Sequence, residues 1–481
     1  MSTVWSIAGF SPSNSAGVTA DSHTLSVLGV NGRSIITAVI AQNGLEVNNV
    51  EALSAQMIAA QFLSLKKLGW PHVIKVGLLP TVESVMALSE LILDPPCPVI
   101  YDPVMISSSE HRLMQASAIN IIKEKWLPLV TVLTPNVMEA QILTEQEITT
   151  PQEMLFAARK LCQMGAKQVI LKGGHLRGEY AQDLWTDGKE SIWLTLPRQK
   201  EVKTHGTGCL FSTALSAFIA RGFDIKDAFV LAKMTTYQCI KQADIYTNRA
   251  FVKINEWPNG AENLPWLTFD AISGWKKPQF APLNERIGFY PIVPDYPWLE
   301  KCISWGVKSC QLRLKDQSED YCQHSIQQAI WLCAQHDVQL FINDHWQEAL
   351  QYGAYGVHLG QEDLDNCDVF KLAENEIRLG ISTHSYAELA RAHALNPSYI
   401  ALGPIYPTTA KPMKFPPQGL ENLRKWRDLV ATQLVAIGGI NIKRLPEVMA
   451  CNIDGISVIS AITRAVDPSF ACQQWLASWG V

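Results

Sequence analysis

The chain has 481 residues, of which 47% are hydrophobic and 18% are charged, and its formal net charge is −5 at pH 7. This composition is typical of folded globular proteins and excludes a disordered chain. The length predicts two or three domains, and the near balance of 40 basic and 45 acidic residues argues against nucleic acid or an anionic membrane as a partner.

The amino terminus and the cysteines predict a cytoplasmic protein. The first residues, MSTVWSIAGFSPS, have no basic segment of the kind found in secretory signals, and no apolar stretch approaches the roughly 18 residues that span a bilayer. None of the eleven cysteines stands in a C-x-x-C pair. This spacing favours reduced thiols over disulfides or a zinc site.

Six short apolar runs in the first half predict a parallel sheet with helices on both faces, a three-layer α/β/α domain over residues 1–270. The runs are VWSIAG, RSIITAVIAQ, PHVIKVGLL, CPVIYDPVM, LVTVLTPN and KQVILKGG. The last long helix of this half is predicted to begin at THGTGC, residues 204–209. Residues 271–286, which lack periodicity and are rich in proline, glycine and charge, are predicted to be a linker.

Eight further runs in the second half predict a (β/α)8 TIM barrel over residues 287–481. They are IGFYPIV, KSCQLRL, VQLFIN, YGVHL, IRLGIS, SYIALG, QLVAIGG and DGISVIS. Polar residues collect where these strands end, in QLRLKD, INDH, HLGQED, GISTH, GPIYPTTAK and AIGGIN. Because barrel active sites lie at the carboxyl ends of the strands, these segments form the predicted site.

The stretch KTHGTGC places two glycines and a cysteine at a predicted helix start. Gly206, Thr207 and Gly208 would present backbone N–H groups where the helix dipole favours an anion. Cys209 would lie in the first turn, where the local field lowers the pKa of a thiol. Such a cysteine could accept a proton from a substrate hydroxyl while the N–H groups bind a phosphoryl group in transfer.

Motifs throughout the first half resemble those of hydroxymethylpyrimidine/phosphomethylpyrimidine kinases, which belong to the ribokinase-like group. They are AGVTAD, ITAVIAQN, KVGLL, YDPVM, TPNVMEA, KGGH and THGTGC, in this order. The resemblance implies a ribokinase-like fold, ATP as co-substrate, Mg²⁺ as cofactor and Cys209 as the catalytic base. It also implies Gly9, Asp21, Gln42 and Leu78 as pyrimidine-binding residues, Asn136, Lys172, Gly206, Thr207 and Gly208 as the ATP and anion site, and Asp102 and Glu139 as Mg²⁺ ligands.

Two segments depart from the kinase pattern. In the opening loop, Ser11, Asn14 and Ser15 stand where the family usually has an aspartate and two glycines. In the lid after YDPVM, Ser108 and Glu110 replace a lysine and a glycine, which removes a cation and adds an acid near the expected phosphates. The pyrimidine pocket is therefore predicted more strongly than both phosphorylation steps.

The barrel motifs QLRLKD, FINDH, GVHLGQED, LGISTH, ALGPIYPTTAK, AIGGI and VISAI resemble those of thiamine phosphate synthase. Arg313 and Lys315 alternate on one predicted strand and would clamp a diphosphate as the catalytic cations. Asp344 and Asp363, at two strand ends, would share one Mg²⁺. The other residues expected at the pyrimidine diphosphate are Gln311, Asn343, Ser382 and Lys411, and those expected at the thiazole phosphate are Thr408, Gly438, Gly439, Ile459 and Ser460.

The implied synthase reaction expels pyrophosphate and needs no general base. The clamp and the metal stabilise the departing anion, and the thiazole nitrogen captures a carbocation-like methylene group of the pyrimidine. His358 is accordingly expected to pack and to hydrogen-bond rather than to act in catalysis. Ala410 stands where the family usually has a threonine, which removes one hydroxyl donor to the pyrophosphate.

Both halves therefore predict one enzyme of thiamine biosynthesis with small-molecule substrates. The first half would convert hydroxymethylpyrimidine to its mono- and diphosphate, and the barrel would join the diphosphate to thiazole phosphate. An alternative is an active synthase fused to a catalytically impaired, pyrimidine-binding regulatory module. Because both families commonly self-associate, the resemblance also implies a homo-oligomer.

Overall fold

The computed structural model describes residues 1–43, 45–107, 111–199, 203–246, 249–274, 276–408 and 415–479. The chain divides into two compact units, Met1–Asn259 with Asn263–Gly274, and Gly260–Glu262 with Trp275–Val481. The predicted linker 271–286 is shared between them. The Ile272 N–H donates to Gln182 in the first unit, whereas the carbonyl of Ala281 accepts from Ser398 in the second.

The strands of the first unit are β1 (Thr3–Phe10), β2 (Asn31–Gln42), β3 (Val47–Ala52), β4 (Val73–Val76), β5 (Val99–Tyr101), β6 (Val132–Leu133), β7 (Gln168–Lys172), β8 (Tyr180–Thr186), β9 (Ser191–Pro197), β10 (Lys203–His205), β11 (Asp244–Tyr246), β12 (Arg249–Phe251) and β13 (Trp266–Thr268). Ten of them form one sheet in the order β13-β9-β8-β7-β6-β5-β4-β1-β2-β3, and β10-β12-β11 form a small second sheet.

The six predicted strands are confirmed as β1, β2, β4, β5, β6 and β7, and neighbouring members of this set pair in parallel. The prediction missed β3, β8, β9 and β13, which extend the sheet at both edges through antiparallel pairs. Trp5 of β1 is fully buried and contacts both Phe62 and Trp70, with ring centroids 5.3 and 6.0 Å away. These aromatic contacts fix one face of the sheet core.

The helices of the first unit are α1 (Gly17–Val27), α2 (Ala55–Lys66), α3 (Val82–Leu91), α4 (Ala116–Ile121), α5 (Val137–Thr144), α6 (Pro151–Gln163), α7 (Thr207–Ala220) and α8 (Ile225–Lys241). Helix α7 begins at the predicted motif. The expectation that it is the last long helix of this half is wrong, because α8 follows and packs against it. Asp224 caps α8 by accepting from the backbone N–H of Asp227.

The second unit is a closed barrel of eight strands, all pairing in parallel. They are β14 (Gly288–Val293), β15 (Ser309–Leu312), β16 (Gln339–Asn343), β17 (Gly356–Leu359), β18 (Arg378–Thr383), β19 (Tyr399–Leu402), β20 (Gln433–Ile437) and β21 (Gly455–Val458). The predicted barrel is therefore confirmed strand by strand. It positions every strand's carboxyl end on one rim.

The helices of the second unit are α9 (Tyr296–Ser304), α10 (Glu319–Gln335), α11 (Trp346–Gln351), α12 (Val369–Glu374), α13 (Tyr386–Leu395), α14 (Gly419–Leu429), α15 (Leu445–Met449), α16 (Ser460–Thr463) and α17 (Pro468–Trp479). All eleven cysteines of the chain are free thiols, as their spacing predicted. Among the described residues, no helix combines the length and the apolar composition needed to cross a bilayer.

Candidate active sites

A small cavity of about 50 Å³ lies in the first unit at the carboxyl ends of β1 and β4. Gly9, Gln42 and Leu78 line it, as does Cys209 at the start of α7. The structure thus brings together three of the four residues predicted to bind the pyrimidine, next to the predicted base. Lys75 also lines the cavity and was not predicted.

Asp21, the fourth residue predicted to bind the pyrimidine, is not among the residues that line the cavity. Its side chain is fully buried, and its Oδ2 atom accepts from Ser6 at 2.5 Å and from Lys75 Nζ at 2.7 Å. Its Oδ1 atom accepts from Thr213 at 2.6 Å. The carboxylate thus binds Lys75, Ser6 and Thr213 in this structure, and the contact of Asp21 with the pyrimidine edge stays a prediction.

The predicted ATP and Mg²⁺ residues form a charged cluster beside the first turn of α7. Lys172 Nζ lies 2.9 Å from Asp102 Oδ1, and Ser212 donates to Asp102 Oδ2 at 3.3 Å. A Cβ atom on Gly208 would lie only 3.3 Å from Lys172 Nζ. The glycine therefore allows the backbone of the helix start to approach this lysine closely.

Asn136 and Glu139 cap helix α5 reciprocally. Glu139 Oε2 accepts from the Asn136 N–H at 2.8 Å, and Asn136 Oδ1 accepts from the Glu139 N–H at 2.9 Å. Burial raises the pKa of Glu139 to about 8, with the attraction of Lys172 opposing and the repulsion of Asp102 adding to the rise. Two repelling carboxyl groups with this chemistry fit a divalent cation, and Asp102 and Glu139 would hold it.

The environment of Cys209 differs from the sequence expectation. Burial raises the pKa of the thiol to about 11, and the charges of Asp102 and Asp21 contribute, while Lys75 and the Gly17 N–H act in the opposite direction. The predicted lowering of this pKa is therefore wrong. Removal of the thiol from water outweighs the favourable field of the helix start.

Hydrogen bonds among its own serine hydroxyls link the residues of the altered opening loop. Ser13 Oγ lies 2.9 Å from Ser11 Oγ and 2.8 Å from Ser15 Oγ, and Asn14 takes the left-handed conformation with φ of 55°. A Cβ atom on Gly206 would lie 2.2 Å from the Ser15 carbonyl oxygen, so this loop and the glycine motif pack directly together. The lid residues Ser108 and Glu110 lie outside the described part of the chain.

In the barrel, Lys315 Nζ lies 2.5 Å from Asp344 Oδ2, and the carboxyl groups of Asp344 and Asp363 are close enough to interact. Burial raises the pKa of Asp363, and the neighbouring Asp344 adds to the rise. Burial opposes ionisation of Asp344 too, but the hydrogen bond and charge of Lys315 keep its pKa below the ordinary value. This acid pair fits the shared Mg²⁺ site that the sequence predicted.

Neither predicted metal site is a complete protein cage. Among the described residues, no group of three or more histidine, cysteine or acidic side chains is arranged to hold a metal ion. Each site therefore offers two carboxylates. Because Mg²⁺ prefers six oxygen ligands, the others would come from substrate phosphates and water.

Strand β15 ends at Leu312, so Arg313 and Lys315 lie in the loop after it rather than on the strand as predicted. Arg313 is half-buried and its backbone N–H donates to the Val293 carbonyl. Gln311 and Asn343 are both buried inside the barrel rim. The predicted clamp thus stands at the mouth of the barrel, above these two amides.

A chain of hydrogen bonds crosses the barrel below the clamp. Gln311 donates to the Tyr290 hydroxyl at 3.1 Å, which lies 2.9 Å from the Tyr399 hydroxyl. Tyr399 contacts His358 Nδ1 at 2.6 Å, and His358 Nε2 contacts Ser382 Oγ at 2.8 Å. Burial lowers the pKa of His358 to about 4, so the ring is neutral. The structural role predicted for His358 is confirmed.

The residues predicted for the thiazole phosphate lie at neighbouring strand ends. Gly438 and Gly439 follow β20 with φ of 96° and 66°, and Ile459 and Ser460 follow β21. A Cβ atom on Gly439 would lie 2.6 Å from the Pro407 carbonyl oxygen, which brings the glycines against the segment that ends in Thr408. Lys411 and Ala410 lie outside the described residues.

Lys75, Tyr290 and Tyr399 are the site residues that the sequence interpretation missed. A signal existed for Lys75, since it is the one charged residue in the otherwise apolar run VIKVGLL and a buried charge needs a partner. Tyr290 and Tyr399 lie within strands β14 and β19, whereas the sequence interpretation considered only the polar residues where the strands end.

Fold and sites together define an enzyme with two separate centres for phosphorylated small molecules, an α/β kinase unit and a TIM barrel. The sequence matches the family phosphomethylpyrimidine kinase over residues 11–255 and the family thiamine monophosphate synthase over residues 290–462.

Individual relatives agree with both halves. "Thiamine biosynthetic bifunctional enzyme TH1, chloroplastic" of Arabidopsis thaliana is 32% identical over 480 residues, which are 95% of this chain and 89% of that protein. The thiamine-phosphate synthase of Photorhabdus laumondii is 48% identical over 198 residues, which are 41% of this chain and 92% of that protein. The structure of pyridoxal kinase from Staphylococcus aureus in complex with ADP matches with a TM-score of 0.50 and 27% identity, covering 56% of this chain and 98% of that chain.

The chain therefore belongs to the phosphomethylpyrimidine kinase family in its first half and to the thiamine monophosphate synthase family in its second. It is a bifunctional transferase of thiamine biosynthesis. The first unit has the ribokinase-like fold, as the resemblance implied.

Proposed function

We propose that the kinase unit (residues 1–270) phosphorylates hydroxymethylpyrimidine twice with ATP and that the barrel (residues 287–481) condenses the resulting diphosphate with thiazole phosphate. The observation that carries the kinase proposal is the cavity that joins Gln42 and Cys209 beside the Asp102–Lys172 pair. The retained pair and thiol support an active kinase. No contact favours the regulatory-module alternative.

In the proposed kinase step, the pyrimidine lies between Gly9 and Leu78, and its amine and ring nitrogen face the Gln42 amide. Because burial raises the pKa of Cys209 to about 11, only a small fraction of the thiol is ionised, and this thiolate accepts the proton of the substrate hydroxyl as the hydroxyl oxygen bonds to the γ-phosphorus. The bond from that phosphorus to the bridging oxygen breaks, and ADP leaves with the electron pair.

Charge on the transferring phosphoryl group is stabilised by the N–H groups of Gly206, Thr207 and Gly208 and by Lys172. Asn136 borders the same anion site as the cap of α5. Asp102 and Glu139 would hold Mg²⁺, which supplies positive charge to the phosphate oxygens when it is bound.

In the proposed synthase step, Arg313 and Lys315 bind the diphosphate and stabilise it as it leaves the methylene carbon. Gln311 and Asn343 orient the pyrimidine, and Ser382 and Lys411 donate to the diphosphate. Asp344 and Asp363 would hold Mg²⁺, which neutralises the leaving anion when it is bound. Thr408, Gly438, Gly439, Ile459 and Ser460 bind the phosphate of the thiazole, whose nitrogen forms the new bond to carbon.

Two assays test these proposals separately. ADP formation is measured with hydroxymethylpyrimidine and then with its monophosphate, and we expect turnover of both that Cys209→Ala abolishes. Thiamine phosphate formation from supplied diphosphate is expected to fall at least about a hundredfold in Arg313→Ala. ADP formation from neither pyrimidine would support the regulatory-module alternative, and an unchanged synthase rate would remove Arg313 from the site.

The remaining partners and the location are also proposals. We infer a cytoplasmic enzyme that uses only small-molecule substrates and Mg²⁺, from the balanced charge and the free thiols. A homo-oligomer is proposed from the families alone, and light scattering of the purified chain tests it.

A further inference from the structure

Lys75 is a buried cation in the wall of the kinase cavity. Its side chain is fully buried, and it stands in β4 among Val73, Ile74 and Val76, which have no exposed surface either. An ammonium group is strongly disfavoured in such surroundings unless charged or hydrogen-bonding partners compensate. The fold therefore maintains this charge at a place where a methionine or leucine would pack well.

Asp21 holds the ammonium group in one position. Lys75 Nζ donates to Asp21 Oδ2 at 2.7 Å, and hydrogen bonds from Ser6 and Thr213 fix the carboxylate in turn. Burial alone would lower the pKa of Lys75, but the Asp21 carboxylate raises it above its ordinary value, with smaller contributions from Cys209 and Asp102. The lysine is thus charged at any physiological pH.

Lys75 is also part of the cavity wall. Lys75 lines it together with Gly77 and Cys209, and a Cβ atom on Gly77 would lie 3.4 Å from Lys75 Nζ. An ammonium group has three N–H donors, and Asp21 uses one of them. Because Gly77 has no side chain, only backbone separates this part of the ammonium group from the cavity, which Gly77 and Cys209 also line.

We propose that Lys75, fixed by Asp21, is a positioning residue of the kinase reaction that balances the negative charge of the Cys209 thiolate while the pyrimidine is bound. This inference rests on the proposed role of Cys209 as proton acceptor. In the step itself, the hydroxyl proton moves to Cys209 Sγ as the oxygen–phosphorus bond forms, ADP leaves with the electron pair of the broken bond, and Lys75 keeps its three protons.

The charges around the cavity show how Lys75 acts on the ionisation of Cys209. Asp102 and Asp21 disfavour the thiolate of Cys209, and Lys75 is the side chain that favours it most, while Lys172 also interacts with the thiol. Because the site is largely removed from water, one fixed cation has a larger effect there than it would have in solvent. A lysine that served only to neutralise Asp21 would not need to lie in the wall of the cavity beside Cys209.

The test compares Lys75→Met, Lys75→Arg and the double variant Lys75→Met with Asp21→Asn in the full chain. The double variant removes both charges, so it avoids an unpaired buried carboxylate that would itself destabilise the unit. Synthase activity from supplied diphosphate normalises the amount of folded enzyme. Alkylation of Cys209 by iodoacetamide is followed by peptide mapping, because Cys97, Cys162 and Cys367 are also partly exposed.

We expect the double variant to lower the kinase kcat at least about tenfold, to change KM for the pyrimidine less than about threefold, and to slow Cys209 alkylation in parallel. Lys75→Arg should restore part of both rates. Lys233→Met is the matched control, because Lys233 is a buried lysine paired with Asp183 at 2.8 Å outside the cavity. It should lower stability and leave kcat within about twofold.

Two results would overturn the inference. One is a folded double variant whose kcat stays within about twofold of the unaltered enzyme, and the other is a rise in KM with kcat and alkylation unchanged, which would make Lys75 a ring-binding residue. The Cys209→Ala variant tests the proposed role of Cys209 separately from the role of Lys75. If it retains kinase activity, the proposed role of the cysteine fails, whatever the lysine variants show.

Discussion

Lys315 Nζ lies 2.5 Å from Asp344 Oδ2, so the cation expected to grip the diphosphate is paired with a carboxylate expected to bind Mg²⁺. Both groups are partly exposed, and Asp363 adjoins the pair. The substrate and the metal must therefore part these two side chains before the clamp is complete. The pair favours the charged form of Asp344 and holds its carboxylate in one position.

This ion pair predicts a competition between Lys315 and the metal. In Lys315→Met we expect Mg²⁺ to bind the chain about two- to fivefold more tightly in the absence of substrate, because an exposed pair of this kind stabilises the carboxylate only modestly. The synthase rate should fall at the same time. Isothermal titration with Mg²⁺ measures the first effect, with Asp344→Asn as the control that should weaken binding. Equal or weaker Mg²⁺ binding in Lys315→Met would refute the competition.

The hydrogen-bonded chain below the clamp predicts a role for Tyr399 in orienting Ser382. Tyr399→Phe removes the hydroxyl that contacts His358 Nδ1 and the Tyr290 hydroxyl, and we expect the synthase kcat to fall about fivefold through the loss of these two buried hydrogen bonds. Tyr355→Phe is the matched control, since the Tyr355 hydroxyl contacts Gln339 at the amino end of β16. It should change stability and not kcat. Equal effects of the two variants on kcat would argue against a specific orienting chain.

The close approach of two loops predicts that Gly206 tolerates no side chain. Gly206 has φ of 87°, and its added Cβ atom would meet the Ser15 carbonyl oxygen at 2.2 Å, so Gly206→Ala must displace one loop. We expect kinase activity to fall at least about tenfold, with synthase activity unchanged. Gly174→Ala is the control, because a Cβ atom there would meet no heavy atom within 4 Å. Full kinase activity in Gly206→Ala would show that the motif adopts another conformation.

The raised pKa of Glu139 predicts a pH-dependent stability of the kinase unit. The folded pKa of about 8 exceeds the ordinary value of 4.5, so the folded state binds more protons between these values and its stability declines as the pH rises from about 4.5 to about 8. Glu139→Gln should lack this decline, which thermal unfolding at pH 5, 6, 7 and 8 measures in the absence of metal.

Glu153 provides the comparison for that measurement. It occupies the same capping position in α6 but is only partly buried, and hydrogen bonds from Thr149 and Thr150 lower its pKa. The stabilisation of the folded state by Glu153 is therefore fully present above pH 4.5 and is lost as the pH falls. Glu153→Gln should show no relative gain between pH 5 and 8. A constant difference between the unaltered chain and Glu139→Gln over this range would contradict the raised pKa.

The sequence predicted those parts of the fold that depend on continuous apolar runs. All eight barrel strands and the six parallel strands of the kinase unit are of this kind. The hairpin of β8 and β9 was missed because the sequence was interpreted as a regular alternation of parallel strands and helices. These two strands follow each other without a helix and pair antiparallel. The sequence also predicted α7 as the last long helix of the kinase unit, whereas α8 follows it.

Individual side chains were harder to predict than strands. Cys209 was assigned to the right helix turn, but its pKa depends on how much water the fold excludes, which the local motif does not contain. The ion pair of Asp21 with Lys75 was not predicted, because the two residues are 54 positions apart in the sequence. The acid pair Asp344 and Asp363 was predicted correctly as neighbours, since strand ends of one barrel must meet at one rim.

The most direct test of two working centres in one chain is a single reaction that contains hydroxymethylpyrimidine, thiazole phosphate, ATP and Mg²⁺. We expect thiamine phosphate from the unaltered protein and none from Cys209→Ala, with supplied pyrimidine diphosphate restoring the product in that variant. If the unaltered chain forms thiamine phosphate only when the diphosphate is supplied, the first centre does not do the chemistry assigned to it.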